Sequence, residues 1–178
     1  MAGQPRVFNF PLPQVVVKAI CMAGTFTQMY VQVVFAVKRR ENLLLRPWRE
    51  EVFKYMSGII TAKNHKSIIV NGVEDHVHVF VGLKPNMALS DLIRDVKNNS
   101  SKFINEKKWL PGKFSWQEGY SAFTYSHNAV QNVYQYILNQ EEHHRKNKFR
   151  EEYLELLREF AVDFKEEYLF EWYDREGK

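Results

Sequence analysis

The order of apolar and polar positions divides this chain into a leading arm, a run of alternating strands and helices, and a charged helical tail. Tyr30 to Val37, YVQVVFAV, is β-branched and aromatic with apolar residues on both faces, which predicts a buried central strand. Pro47 suits the first turn of a helix, and Trp48, Val52, Tyr55, Met56, Ile59 and Ile60 recur at helical spacing to about Lys63. Lys66 to Asn71, closed by Gly72, and His76 to Val81, ended by Gly82, form a predicted hairpin. Ser90 is placed to cap a second helix with Leu89, Leu92, Ile93, Val96, Phe103 and Ile104 on its apolar face. After Pro111–Gly112 comes an extended segment, roughly Ser115 to Tyr125. Asn128 with Gln131 resembles a capping box opening a helix through about His144, and a last helix spans Glu151 to Phe160.

Strand–helix–strand–strand–helix–strand is the order of a split ferredoxin-like unit. The fold class is therefore α+β: a ferredoxin-like or RRM-like antiparallel sheet with helices on one face, followed by the late helix and a C-terminal helical tail. Residues 1–21 carry Pro5, Pro11 and Pro13 and lack the periodicity of a packed element. They are expected to be a dispensable arm before a natural start near Met22. Residues 22–148 form the expected domain, with 149–178 a tail packing on it. Lys18 interrupts the apolar run Val15–Ile20, and the prolines precede it, so a secretory signal is not expected.

Composition narrows the class. Hydrophobic residues at 45% and charged residues at 26% are those of a folded domain, and no apolar run approaches the ~20 residues of a membrane span. The single cysteine, Cys21, excludes an intramolecular disulfide framework and a Cys-based zinc site, and a cytoplasmic location is expected. A formal charge of +4 hints at an anionic partner.

Three groups of residues can carry chemistry. In a strand, His76 and His78 point to the same face at a Cα spacing of roughly 6.5–7 Å, close enough for both imidazoles to reach one divalent cation. Val77, Val79 and Val81 face the other way. The spacing alone fits a metal pair and two polar-face histidines equally well. Tyr136 and Gln140, four apart in the late helix, share a face away from Val130, Val133, Tyr134, Ile137 and Leu138, and could pair a nucleophile with an amide ligand. An ordinary surface tyrosine has the same signature. His143 and His144 have a sufficient structural account at a helix C-terminus. Finally, Arg94, Lys97, Ser101 and Lys102, with Trp116 and Tyr120 nearby, combine basic groups and aromatic platforms as single-strand binders do, and equally as a solvated face beside core aromatics does.

Taken together, Tyr30–Arg40 (YVQVVFAVKRR), Asp75–Val81 (DHVHVFV), Ala88–Ser101 (ALSDLIRDVKNNSS), Trp116–Tyr120 (WQEGY) and Tyr136–Gln140 (YILNQ) are more specific than any one segment. From Met22 to His144 the chain resembles the single-tyrosine HUH transposases of small bacterial insertion sequences, and those associated with repetitive extragenic palindromes. The resemblance implies a metal-dependent enzyme that cleaves and rejoins single-stranded DNA at hairpin-containing ends through a 5′-phosphotyrosine. It implies Tyr136 as nucleophile and His76, His78 and Gln140 as ligands of Mg²⁺ or Mn²⁺. It further implies a homodimer, in which the helix bearing Tyr136 could serve either subunit. Other readings fit less well. A histidine-triad hydrolase wants H-x-H-x-H, where Phe80 stands here, and a two-histidine phosphoesterase wants two H-x-[ST] motifs. A non-catalytic or domesticated single-strand binder on the same fold needs none of the four residues together.

Overall fold

A computed structural model of the chain describes residues 26–144, 149–165 and 169. The expected arm, 1–21, lies outside the described residues, as does most of the tail beyond 165. Four strands, β1 (Met29–Ala36), β2 (Lys66–Gly72), β3 (His76–Leu83) and β4 (Ser121–Tyr125), form one antiparallel sheet in the order β2-β3-β1-β4. Helices α1 (Arg46–Ala62) and α2 (Leu89–Lys107) supply the two crossovers of the ferredoxin-like unit. After β4 come α3 (Val130–Leu138), α4 (Gln140–His144) and α5 (Phe149–Glu159).

The sheet is covered on both faces. On one, Val31, Val33, Phe35 and Val37 of the β1 segment and Val77, Val79 and Val81 of β3 pack beneath α1 and α2 in the main core. Trp48, Val52, Met56 and Ile60 come from α1, and Leu92, Ile93, Val96 and Ile104 from α2. On the other, Val34, Ala36 and Phe123 meet Phe149, Tyr153, Leu156 and Leu157 of α5, while Phe80 meets Val133 and Ile137 of α3. The two crossover helices share one face as expected; the late helix and the tail helix take the other. β1 is buried on both sides because its register sets Gln32, Val34 and Ala36 opposite Phe80, His78 and His76 on the second face.

Several boundaries differ from the sequence pattern for local reasons. β3 continues through Gly82, which pairs with Tyr30 of β1 and Lys66 of β2. Ser90 is not the cap of α2: the helix begins at Leu89 with Ala88 as N-cap and no side-chain capping bond. The extended segment of 115–125 is broken at Gly119, whose φ of +76° favours glycine, leaving Trp116 in an isolated bridge to Val37 and β4 beginning only at Ser121. Asn128 forms no capping bond and lies in a 3₁₀ turn, His127–Ala129, that precedes α3. The late helix is also two helices. Asn71 Nδ2 on β2 donates to the carbonyls of Ile137 at 2.7 Å and Leu138 at 3.1 Å, satisfying end-of-helix acceptors where the chain breaks at Asn139.

The β4 approach is held from α2. Lys97 Nζ donates to the carbonyls of Gln117 at 2.6 Å and Gly119 at 2.7 Å and lies 5.5 Å from the centre of the Phe35 ring. Burial lowers its pKa to about 8, against an opposing pull from Glu118. Replacing Lys97 by Met is therefore expected to cost about 1–2 kcal/mol in urea unfolding, since both carbonyls lose a charged donor. Replacing Lys102, exposed and only loosely paired with Glu106, by Ala should change stability by no more than about 0.5 kcal/mol. Equal costs would show that Lys97 is no staple. At the β2–β3 turn, a Cβ on Gly72 would collide with the carbonyl oxygen of His76 and come within 2.9 Å of Val77 Cα. Backbone cannot swing away as a side chain can, so Gly72→Ala should destabilise by about 1–3 kcal/mol, a fall of about 2–10 °C in Tm by calorimetry.

Candidate active site

The pleat of β3 sends Val77 and Val79 into the main core and turns His76 and His78 to the second face, under α3 and α5. Both imidazoles are fully buried, with ring centres 5.1 Å apart. His76 Nδ1 is 2.7 Å from Asp75 Oδ1, so this nitrogen carries the proton and Nε2 keeps its lone pair. His78 Nδ1 is 2.9 Å from Gln32 Nε2, and Gln32 Oε1 accepts from Tyr125 Oη at 2.7 Å. A half-turn of the Gln32 amide reverses both bonds without moving any other group and leaves His78 Nε2 with a free lone pair. Burial lowers His78 to about 3, so the ring is neutral at ordinary pH, the form that binds metals. The Nε2 atoms of both histidines are buried without a hydrogen-bond partner among the described residues. Buried polar atoms are rarely left so, and two adjacent ones suit a cation.

Tyr136 and Gln140 reach this pair from the helical break. α3 docks through Val133 and Ile137, which places Tyr136 beside the sheet, its ring centre 6.0 Å from that of His78. Gln140 is fully buried, whereas Leu138 is 47% exposed. Gln140 follows Ile137 by three residues and Val133 by seven, so helical phase carries it onto the inward face and turns Leu138 out, the reverse of the expected assignment of these two. The new helix is anchored by Glu141, which binds Arg46 at 3.0 Å and also pairs with buried Arg49, itself 3.1 Å from Glu74.

Two further residues complete the cluster, and neither was expected from the sequence. Glu152 of α5 is buried, and its Oε1 accepts from Tyr136 Oη and, at 3.0 Å, from Gln140 Nε2. The same oxygen is 3.6 Å from His78 Nε2, and Oε2 is 2.8 Å from His144 Nε2. The His144 ring lies edge-on to His76 at 4.6 Å, so His144 belongs to the site and not merely to a helix end. Burial and the Glu152 charge and hydrogen bond raise the Tyr136 phenol above its ordinary range. Burial works against ionisation of Glu152, but hydrogen bonding from His144, the His78 and His76 rings and the Tyr136 hydroxyl outweigh it and hold the carboxyl low. One ligand atom each from His76, His78 and Glu152 lies within 4.8 Å of the others, and the Gln140 amide adjoins them. Imidazole, amide and carboxylate donors together fit a divalent cation such as Mn²⁺. The signal for Glu152 was present in sequence: it sits in the stripe Phe149, Tyr153, Leu156, Leu157, where a hydrophobe belongs.

The expected DNA-contacting residues do not join this cluster. Arg94, Lys97, Ser101 and Lys102 are on α2, across the sheet from Tyr136. Lys97 is engaged by backbone carbonyls, Arg94 pairs with Asp91 at 2.6 Å, and Ser101 bonds its own helix at Asn98. Trp116 is not a base platform in this structure. It is buried edge-on to Phe35 and Phe114, and its indole N–H donates to Ser100 at 2.9 Å. Tyr120 packs against the same core.

With this arrangement in view, comparisons with known proteins converge. The family described as "Transposase IS200 like" matches residues 25–140. The chain is similar to the ISDra2 transposase TnpA of Deinococcus radiodurans, 23% identical over 124 residues, 66% of this chain and 87% of that protein. Its fold is similar to a crystal structure assigned as a transposase from Deinococcus radiodurans, with a TM-score of 0.54 at 21% identity over 66% of this chain and 94% of that one. It also resembles a REP-associated tyrosine transposase bound to a REP hairpin, with a TM-score of 0.52 at 13% identity over 65% and 68% of the respective chains. A family match across most of the folded unit, on a sheet of the same architecture, places this chain in the IS200-like transposase family.

Proposed function

We propose that this transposase cleaves and rejoins single-stranded DNA beside hairpins, with Tyr136 as the nucleophile and a divalent ion, Mg²⁺ or Mn²⁺, held by His76, His78 and Gln140. The observation that carries the proposal is the meeting of a tyrosine hydroxyl with two buried, unpartnered imidazole nitrogens in a single cluster. A pure binding protein has no use for such a cluster, and the hairpin bound by the REP-associated relative supports the substrate class.

In the forward step Tyr136 Oη bonds to phosphorus as the P–O3′ bond breaks. The phenolic proton is lost, the departing 3′ oxygen gains one from solvent, and the products are a 5′-phosphotyrosine and a free 3′-OH. Rejoining is the reverse, with a 3′-OH attacking the phosphotyrosine and Tyr136 regaining its proton. A divalent ion, when bound, supplies positive charge to the scissile phosphate. The chain supplies orientation: Glu152 holds the Tyr136 hydroxyl, Gln140 holds Glu152, and Asp75 and Gln32 fix the two imidazoles. Arg94 and Lys102 remain candidate phosphate contacts, remote from the chemistry on the outer layer of the sheet. A homodimer is part of the proposal, but one chain already brings its own tyrosine to its own histidines, so exchange of helices between subunits is not needed.

Incubated with a single-stranded hairpin oligonucleotide and Mn²⁺, the wild type should form a covalent protein–DNA adduct that is absent with EDTA and absent in Tyr136→Phe. Because Tyr136→Phe removes one donor from buried Glu152, a stability loss of about 1–3 kcal/mol is expected alongside. Adduct formation by Tyr136→Phe would move the nucleophile elsewhere, with Tyr134 the first suspect. Mixing Tyr136→Phe with His76→Ala under confirmed subunit exchange should leave the preparation inactive. Recovered cleavage would instead show a site shared between chains.

A further inference from the structure

We propose that Glu152, on the C-terminal helix α5, is a direct carboxylate ligand of the divalent ion at His76 and His78, so that the ion ties α5 to β3. This rests on the metal centre of the proposed function and adds to it a residue beyond the His–His–Gln set that the sequence motifs supply.

The position of Glu152 needs a cause. Along α5, residues 149, 153, 156 and 157 form the apolar stripe that packs on β1 and β4, and 152 falls within it. A carboxylate in that slot gives up hydration and is retained only where other groups replace the water. Among the described residues no Lys or Arg pairs with it; its charged-type neighbours are the imidazoles of His78 and His144. The hydrogen bonds from Tyr136 and Gln140 both go to Oε1, while among the described residues Oε2 has only His144 Nε2, at 2.8 Å, beside it.

Geometry supports a shared ion over a direct bond. Glu152 Oε1 and His78 Nε2 are 3.6 Å apart, beyond hydrogen-bond length. Two ligands each about 2.1 Å from one ion and 90–110° apart are separated by about 3.0–3.5 Å. The three candidate ligand atoms fall within 4.8 Å, so a small inward movement brings all of them to bonding distance. His76 Nε2 and His78 Nε2 are unpartnered and so is Gln140 Oε1, which leaves several buried lone pairs around the same point. A carboxylate is the hard, anionic donor that two imidazoles and an amide lack, and it favours Mn²⁺ and Mg²⁺ at a site otherwise suited to softer ions. α5 would then be part of the catalytic unit and not an appendage to it.

The test uses the full chain and Mn²⁺ alone, without DNA. Binding is followed by calorimetry, and the number of exchangeable waters on bound Mn²⁺ by water-proton relaxation. Glu152→Ala removes the carboxylate. Glu152→Leu does the same while filling the apolar slot, so it reports even if the alanine variant fails to fold. The expected result is at least about tenfold weaker binding in either variant and one additional exchangeable water on the bound ion. A water count equal to that of wild type, or affinity within about twofold of it, would overturn the proposal and leave Glu152 as a hydrogen-bond partner only. His76→Ala separates the two layers of the argument. Loss of Mn²⁺ binding in that variant is expected, whereas unchanged binding would overturn the histidine site itself, and this inference with it.

Discussion

Everything in this fold turns on β3 being buried on both faces while carrying two kinds of side chain. Its valines pack with β1, α1 and α2, and the alternation of the pleat then forces His76 and His78 to the opposite face. That face is also closed, by α3 and α5, so the imidazoles are removed from water. Buried rings must be neutral or compensated, and each spends one nitrogen on a fixed neighbour, Asp75 or Gln32. The remaining nitrogens converge. The candidate site thus follows from ordinary strand geometry plus a second helical layer.

The second layer also decides how the tyrosine is presented. Asn71 donates to the carbonyls that end α3, and the Arg46–Glu141–Arg49 contacts fix α4 behind it. Gln140, in helical phase with Val133 and Ile137, turns inward while Tyr136 stays at the margin. The hydroxyl is held by an acidic partner and its proton is hard to remove in the free protein, so positive charge brought to this site would ease its loss.

Much of this was legible in the sequence, and the parts that were not share a physical cause. The strands and the first two helices have periodicities that survive tertiary packing because their faces are uniformly apolar. H-x-H and the Tyr136–Gln140 pair could be read as candidates because strand and helix periods place each pair together. Their burial could not be read, since it depends on α5 covering a face that the split unit alone leaves open. Gln140 reads as an outward residue because it is polar and Leu138 is not, although its spacing from Val133 and Ile137 puts Gln140 on the buried face and Leu138 off it. Trp116 and Lys97 looked like DNA contacts because composition cannot distinguish an aromatic in the core from one on the surface, or a lysine bonded to carbonyls from a free one. Glu152 and His144 lie on elements adjacent to the motif only in space. A charged residue inside the apolar stripe of α5 was the one available sign.

The central claim is that the unpartnered Nε2 atoms of His76 and His78 face a common cation. Crystals grown or soaked with Mn²⁺, measured at a wavelength where manganese scatters anomalously, test it most directly. The account predicts a single strong anomalous peak bonded to both Nε2 atoms, inside the same chain that carries the adjacent Tyr136. A peak at another location, or none at concentrations that support DNA cleavage, would contradict it.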